Sequence, residues 1–214
     1  MTNRWKLPAL LTAFLSCFCA AKPPSASAPA SGPTRLTAAD VAKARQAALP
    51  ALKSSVDEPA NRVPTLKIAA APVWSDTGTS HKALLLASLT YPGARYAYCR
   101  LVTVSADLAS AQVADASAMP DCLGISNAFF VDVNGDGELD VIASLRVQSN
   151  RYDAVLDVPG VFLSDPSTPS GYCFSQQASD HLQPDDLTSG ERAKTSLERE
   201  RTRLGLPRFA CGAD

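Results

Sequence analysis

The residues best suited to chemistry lie in one short stretch, residues 129–145, which reads FFVDVNGDGELDVIASL. Within it Asp132, Asn134, Asp136 and Asp140 follow the spacing D-x-N-x-D-G-x-x-D. Carboxylates this close together repel one another unless a cation lies between them. Ca²⁺ is a hard cation that takes six to eight oxygen ligands, so this spacing predicts a calcium site.

Each predicted ligand has a defined place in the loop. The ligands at loop positions one, three, five, seven and nine are Asp132, Asn134, Asp136, Glu138 (through its backbone carbonyl) and Asp140 (directly or through water). An EF-hand requires glutamate at position twelve, where this chain has Ala143, so a helix–loop–helix site is not expected. The alternative interpretation is a hairpin turn with Asn-Gly and Asp-Gly pairs that holds no metal.

The segments on either side of this loop indicate strands. Residues 128–131 and 139–145 are short apolar runs rich in aromatic and β-branched residues. A strand, a DVNGDGELD loop and a second strand resemble the calcium loop of FG-GAP and VCBS-type repeats. Those repeats form blades of β-propellers and related β-rich extracellular modules. The resemblance covers residues 129–145 and implies that the five loop ligands bind Ca²⁺.

The first 21 residues have the character of a signal peptide. Arg4 and Lys6 precede an apolar stretch, residues 7–15, that is too short to span a bilayer. Two cleavage sites compete. One lies before Cys17, in a segment that resembles a bacterial lipoprotein box with phenylalanine where leucine is usual, and would leave Cys17 to be lipidated. The other uses the small residues of Cys19-Ala20-Ala21.

The next segment, residues 22–35, is rich in proline, alanine and serine and is expected to be a flexible tether. Residues 36–214 are long enough for a single globular domain with a real core. We therefore expect an exported protein, either periplasmic or an outer-membrane lipoprotein, with secretion as the alternative.

The cysteines agree with export. Four remain beyond the signal segment, an even number that suits disulfides in an oxidising compartment. Their order favours the pairs Cys99–Cys122 and Cys173–Cys211, because each pair closes a loop of moderate length. No C-x-x-C occurs in this region, so a zinc ribbon or a thioredoxin-like site is not supported.

The charge balance argues against a nucleic-acid partner. The chain has 20 basic and 21 acidic residues. Removal of residues 1–21 takes away Arg4 and Lys6 but no acidic residue, and the net charge falls from −1 to −3. No basic surface for nucleic acid or for a membrane follows from this composition. Contact with a membrane is expected only through a lipid anchor.

The domain is expected to be α+β and mainly antiparallel β, a meander of two blade-like units with an N-terminal and a C-terminal helix. Thr37 and Asp40 predict the first helix start, and the helix should stop near Leu49, before Pro50. Short apolar runs separated by turn residues fill the region 66–174 and predict strands. Thr188 and Glu191 predict a capping box for the last helix.

A short internal sequence repeat supports the prediction of two blade-like units. Residues 76–96 and 132–152, aligned with a shift of 56, share Asp76/Asp132, the tripeptide Ala-Ser-Leu at 87–89 and 143–145, and an Arg-Tyr pair. The first copy lacks the other acidic ligands and is not expected to hold calcium.

No catalytic motif stands out. His81 and His181 are outside H-E-x-x-H and similar constellations, and G-x-S-x-G and phosphate-binding loops are absent. Asp185 and Asp186 are interpreted as partners of a helix N-terminus. We therefore predict a non-enzymatic, calcium-binding interaction module with a protein or cell-envelope partner, such as a periplasmic inhibitor or immunity-type protein. The alternative is a hydrolase acting on a cell-wall or extracellular substrate, with structural calcium.

Overall fold

A computed structural model describes residues 33–58, 61–77, 80–114, 122–149 and 153–212. The predicted signal peptide, Cys17 and most of the tether lie outside the described residues. Within these residues three helices and eight strands follow one another. They are α1 Ala38–Ser54, β1 Thr65–Thr77, β2 Ser80–Thr90, β3 Tyr98–Ser105, β4 Ala111–Val113, β5 Gly124–Val131, β6 Asp140–Gln148, β7 Val155–Ser164, β8 Tyr172–Ser175, α2 Gln176–Asp180 and α3 Gly190–Leu204, with a 3₁₀ helix over Pro184–Thr188.

The strands form two four-stranded antiparallel sheets, each in chain order: β1-β2-β3-β4 and β5-β6-β7-β8. The predicted α+β class with antiparallel strands and terminal helices is confirmed. The two Ala-Ser-Leu tripeptides occupy corresponding places, because residues 87–89 lie in β2 and residues 143–145 in β6, the second strand of each sheet. Arg151 and Tyr152 lie outside the described residues.

The two sheets pack face to face. Leu84 and Leu86 of β2 share one hydrophobic core with Val141, Phe162 and Phe174 of the second sheet. Two sheets are too few to close a propeller, and packing them face to face buries the apolar faces of both. Residues on the opposite faces of the same strands point to the helices, so the middle strands of both sheets are covered on both sides.

Helices cover the two outer faces. Helix α1 packs on the first sheet through Ala44, Ala48 and Leu52, all fully buried. Helices α2 and α3 cover the second sheet, where Leu197 and Phe209 pack against β6 and β7. The result is a four-layer α–β–β–α arrangement.

The first helix ends later than predicted. Thr37 is its N-cap, as expected, and its side chain accepts the N–H of Asp40. The expected stop near Leu49 is wrong, because the helix continues through Pro50 to Ser54. Pro50 lies on the exposed side of the helix, and the burial of Leu52 in the core offsets the hydrogen bond that proline cannot donate.

The last helix begins one residue later than predicted. Ser189, rather than Thr188, is the N-cap and accepts the N–H of Arg192. Gly205 ends the helix with φ 67°, in the left-handed conformation that glycine adopts without steric cost. The helix buries Ala193, Ser196 and Leu197, whereas Leu204 is 39% exposed.

Both predicted cysteine pairs are at disulfide distance. Cys99 of β3 joins Cys122, which precedes β5, and the two Cα atoms are 6.0 Å apart. Cys173 of β8 joins Cys211 after α3, with a Cα separation of 5.6 Å. The second disulfide fixes the C-terminal segment, residues 206–212, beside the second sheet.

We expect peptide mapping of the non-reduced protein to find Cys99–Cys122 and Cys173–Cys211. Replacing Cys173 and Cys211 together with alanine should lower the free energy of unfolding by about 3–4 kcal/mol, because a long loop is released in the unfolded chain. Denaturant unfolding under non-reducing conditions measures the loss. Crossed pairs in the peptide map would contradict the fold described here.

Substitution of Gly190 should test the packing of α3 on β5. A Cβ at this position would lie 2.9 Å from Val131 Cγ1 and 3.2 Å from Phe129 Cβ. We expect Gly190→Ala to destabilise the protein by about 1–3 kcal/mol through overpacking, although alanine is the better helix former. Arg192→Ala, on the exposed side of the same turn, is the matched control. Equal stability of the two variants would mean that α3 does not approach β5 this closely.

Candidate metal centre

The predicted calcium loop, residues 132–139, connects β5 to β6. Gly135 and Gly137 have φ values of 76° and 86°, a left-handed backbone that glycine adopts without steric cost. The Asp132 carboxylate stabilises this turn by accepting three backbone hydrogen bonds. Its Oδ1 accepts the N–H groups of Gly135 and Asp136 at 2.7 and 3.2 Å, and its Oδ2 accepts that of Gly137 at 3.0 Å.

Asp140, the first residue of β6, is the best-anchored side chain of the loop. It is fully buried. Its Oδ2 accepts the N–H groups of Val133 and Asn134 at 2.7 and 3.3 Å. Its Oδ1 accepts the N–H of Ser164, at the end of β7, at 2.8 Å. The Asp140 carboxylate therefore connects the β5–β6 loop to the end of β7.

The electrostatic environment of Asp140 is unusual. Burial raises the pKa of its carboxyl to about 7, even though backbone N–H donors act in the opposite direction. No Lys, Arg or His forms an ion pair with Asp140 in the part of the chain that the structure describes. A buried carboxylate without a cationic partner carries a large desolvation cost, which a bound cation would offset.

The remaining predicted ligands point in more than one direction. Asn134 Oδ1 accepts the N–H of Phe209 at 3.3 Å, across to the C-terminal segment. Asp136 is exposed, and its Oδ1 accepts the N–H of Glu138 at 3.0 Å. Glu138 is half-buried. The loop thus has acidic groups on its outer side and Asp140 on its inner side.

The three loop carboxylates do not form one tight cluster. Among the described residues, one group of three ligand-type side chains lies within 4.8 Å of one another: Asp165, Cys173 and Cys211. Its two cysteines are joined in a disulfide, so this group offers one carboxylate only. Asp132, Asp136 and Asp140 are spaced more widely than that.

The donor set nevertheless has the chemistry that calcium requires. An ionised aspartate offers about four acceptor sites. Asp132 and Asp140 each use three of them for N–H groups, and Asp136 uses one. Each carboxylate therefore keeps capacity for a cation. The residues that would hold the ion are Asp132, Asn134, Asp136, Glu138 through its carbonyl, and Asp140.

The corresponding connection in the first sheet has a different chemistry. Asp76 Oδ1 is 2.6 Å from His81 Nδ1, and the His81 ring stacks on Trp74 with ring centroids 4.5 Å apart. Gly78 and Thr79 lie outside the described residues. His81 is half-exposed at the start of β2. His181 follows α2, with its Nδ1 4.0 Å from Glu200 Oε2.

Two contacts of the loop were missed by sequence reasoning. Phe209 lies 75 residues from Asn134, and Ser164 lies 24 residues from Asp140. Both contacts are made through backbone N–H groups, which every residue except proline has, so no side-chain pattern marks them.

Four surface grooves formed by the described residues are large enough for ligands. A groove of about 940 Å³ lies between α1 and the turn before β4, and one of about 330 Å³ lies beside the predicted calcium loop. Two others, of about 530 and 370 Å³, border α3 and α2. None of these four combines a pair of carboxylates with an aromatic ring.

The chain matches no known protein family, no curated protein and no solved structure. Within the described residues, no helix is long and apolar enough to cross a membrane.

Loss of the Asp140 side chain should be costly even without calcium. In Asp140→Ala the N–H groups of Val133, Asn134 and Ser164 lose their acceptor, two of them in buried hydrogen bonds, and we expect a loss of about 3–5 kcal/mol in the free energy of unfolding. Asp140→Asn keeps one acceptor oxygen and should lose less. Urea unfolding in the presence of a chelator measures both. Asp136→Ala, exposed in the same loop, is the control; an equal loss there would remove the special role of Asp140.

Proposed function

We propose that this chain is an exported binding module stabilised by one calcium ion in the β5–β6 loop. The loop residues Asp132, Asn134, Asp136, Glu138 and Asp140 would hold the ion. The proposed kinship is with FG-GAP and VCBS-type repeats, through the DVNGDGELD loop. We also propose that each sheet is one blade-like unit, because each is a meander in chain order with its Ala-Ser-Leu tripeptide in the second strand.

The observation that carries the calcium proposal is the buried Asp140 carboxylate. It lies at loop position nine, and no cationic side chain among the described residues pairs with it. Calcium beside Asp140 would supply the missing positive charge. The half-buried Asp132 and the exposed Asp136 would close on the ion from the outer side. The proposed role of the ion is to fasten the loop, the end of β7 and the C-terminal segment together.

Binding rather than catalysis is the better proposal for the rest of the molecule. None of the four grooves combines a pair of acids with an aromatic ring, as a hydrolase of polysaccharides would. The free end of the β6–β7 hairpin instead exposes apolar side chains. Val155 and Leu156 are 45% and 41% exposed, beside Gln148 and Val147 on β6. Exposed apolar side chains on a hairpin suit contact with another protein.

The partner we propose is a protein or another component of the cell envelope. Two disulfides and the proposed signal segment, ending before Cys17 or after Ala21, support a periplasmic or outer-membrane location. A tethered, disulfide-stabilised domain would suit an inhibitor or immunity-type protein that blocks a partner enzyme. Nucleic acid is not a proposed partner, because the charge balance is slightly acidic.

The alternative is a hydrolase with structural calcium, acting on a cell-wall or extracellular substrate. The observation in its favour is the pair formed by His81 and Asp76, in which Nδ1 faces the carboxylate and Nε2 would be left for a substrate. Both side chains are well exposed, at 48% and 84%, which is a poor setting for a catalytic dyad. Hydrolysis of an envelope substrate that His81→Ala abolishes would establish this alternative.

Calcium should raise the melting temperature of the purified protein. At a free concentration one hundred times Kd, binding to the native state stabilises by about 2.7 kcal/mol, or about 5–10 °C for a domain of this size. Melting curves with calcium and with chelator measure the shift. Asp136→Ala should reduce it strongly, whereas Asp185→Ala, which removes an exposed acid elsewhere, should keep it. Coincident curves for the wild-type protein would refute the calcium site.

The partner proposal is tested at the β6–β7 hairpin. The wild-type protein and Leu156→Asp, immobilised in parallel, are incubated with a cell-envelope extract. A partner that the wild-type protein retains should be lost from Leu156→Asp, because the new charge would have to be buried in the interface. Leu204→Asp, an exposed apolar position on α3, is the control. Equal retention by all three proteins would show that the hairpin is not the contact surface.

A further inference from the structure

Each sheet has two edge strands, whose outer backbone groups can pair with another chain. The edges of the two sheets are β1, β4, β5 and β8. Along an antiparallel strand, successive residues direct their N–H and C=O groups alternately towards the neighbouring strand and away from it. The hydrogen bonds of the described residues therefore show which edges are open.

Strand β1 is covered in part by other segments of the chain. The N–H of Leu36, before α1, donates to the carbonyl of Pro72 at 3.0 Å. The side chain of Arg45 donates to the carbonyl of Leu66 at 2.8 Å. The register of β1 also shifts within residues 69–73. These features interrupt the edge and hinder the addition of a further strand.

Strands β8 and β5 are interrupted as well. Beside β8, the N–H of Gly212 donates to the carbonyl of Phe174 at 2.8 Å. On β5 the register shifts between Ile125 and Asn127. The side-chain oxygen of Asn127 then accepts the N–H of Ala128 at 2.9 Å. Three of the four edges thus carry a covering segment, a side-chain cap or a bulge.

Strand β4 has none of these features among the residues that the structure describes. Just before it, the carbonyl of Ser110 accepts the N–H of Ser105 at 2.9 Å. Just after it, the N–H of Ala114 donates to the carbonyl of Leu101, also at 2.9 Å. These two bonds fix which residues of β4 are bonded to β3.

The residues that face the free edge are Ala111 and Val113, because they alternate with the residues bonded to β3. No hydrogen bond within the described part of the chain uses their two outward N–H and two outward C=O groups. Both residues are half-buried, and Gln112 between them is exposed. The edge therefore offers two donors and two acceptors at the spacing of a β-ladder.

The largest of the four grooves lies beside the start of this edge. It has a volume of about 940 Å³, with α1 as one wall. Lys43 and Asp107 are the charged residues among the described residues that line it. The apolar lining residues are Ala47, Pro50 and Ala51 of α1 with Leu108, Ala109 and Ala111. Small apolar residues on this wall leave room for apolar side chains of a bound segment.

The free backbone groups determine which kind of partner fits. N–H and C=O groups at every second residue match the backbone of another extended chain. In an added strand, alternate side chains would face α1 and its apolar lining, and the others would lie on the side of the exposed Gln112. A second copy of this chain fits poorly, because its β4 is flanked by its own α1, which the groove would also have to admit.

We propose that β4 is a strand-addition site, where an extended segment of a partner protein forms a fifth strand of the first sheet. The segment would carry apolar side chains at alternate positions, directed into the groove beside α1. This inference goes beyond the contact proposed for the β6–β7 hairpin, because β4 belongs to the other sheet. It is also independent of calcium.

The probe is a library of random decapeptides displayed on phage, selected on the purified protein with both disulfides formed. Val113→Pro removes one outward N–H and no hydrogen bond to β3. It should raise the Kd of a selected peptide about tenfold or more. Ile68→Pro is the matched control, because Ile68 alternates with the β1 residues that pair with β2 and loses an outward N–H on the opposite edge. It should leave the Kd unchanged, and melting curves check that both variants are folded.

A synthetic copy of the selected peptide tests the pairing without any change in the protein. Methyl groups on the nitrogens of alternate residues block either the donors that face β4 or, shifted by one residue, those that face away. The first set should raise the Kd about tenfold or more, because backbone hydrogen bonds are lost. The second set should leave the Kd nearly unchanged.

Several results would overturn the proposal. One is a library that yields no binding peptide, and another is equal weakening by the two sets of methyl groups. A third is equal weakening by Ile68→Pro and Val113→Pro, which would place the peptide elsewhere. A wild-type dimer in sedimentation that Val113→Pro converts to a monomer would assign the edge to a second copy instead of a partner protein.

Discussion

The structure of the second half depends on one buried carboxylate. Asp140 accepts N–H groups from the loop before it and from the end of β7, and it does so in the interior, where such bonds are strongest. Any shift of β6 along β7 would break the bond to Ser164. Any opening of the loop would break the hydrogen bonds from the amides of Val133 and Asn134 to this carboxylate. The loop can therefore be long and glycine-containing and still have a defined shape.

The four layers explain the composition of the strands. The middle strands are covered by the other sheet on one face and by a helix on the other. Residues 83–87 of β2 are all fully buried, with even and odd positions in different cores. An alternating polar pattern would put polar groups into one of these cores. Because both faces of these strands are buried, their sequences are nearly continuous apolar runs, a pattern that is more common in parallel sheets.

Much of this fold could be predicted from sequence, because turn residues separate the apolar runs and the helix starts carry capping signals. Other features depend on tertiary packing. Pro50 is a local stop signal, yet burial of Leu52 on the first sheet outweighs it. The three-residue strand β4 is too short for a pattern of its own. The spacing of the Asp and Asn residues in the loop was visible in the sequence, whereas the inward turn of Asp140 and its hydrogen bond to Ser164 were not, because sheet register decides them.

The order of the strands has a consequence for how the chain folds. Each sheet is continuous in sequence, and every neighbouring pair of strands is connected by a short segment. Hairpins can therefore add one after another, without the long loop closures that slow the folding of Greek-key sandwiches. The cysteines follow the same logic, since each pairs with the next one in the chain, 23 and 38 residues away. If the chain enters an oxidising compartment N-terminus first, Cys99 and Cys122 are both present before Cys173 and Cys211 arrive. Disulfide formation and strand pairing can then proceed in the same direction along the chain.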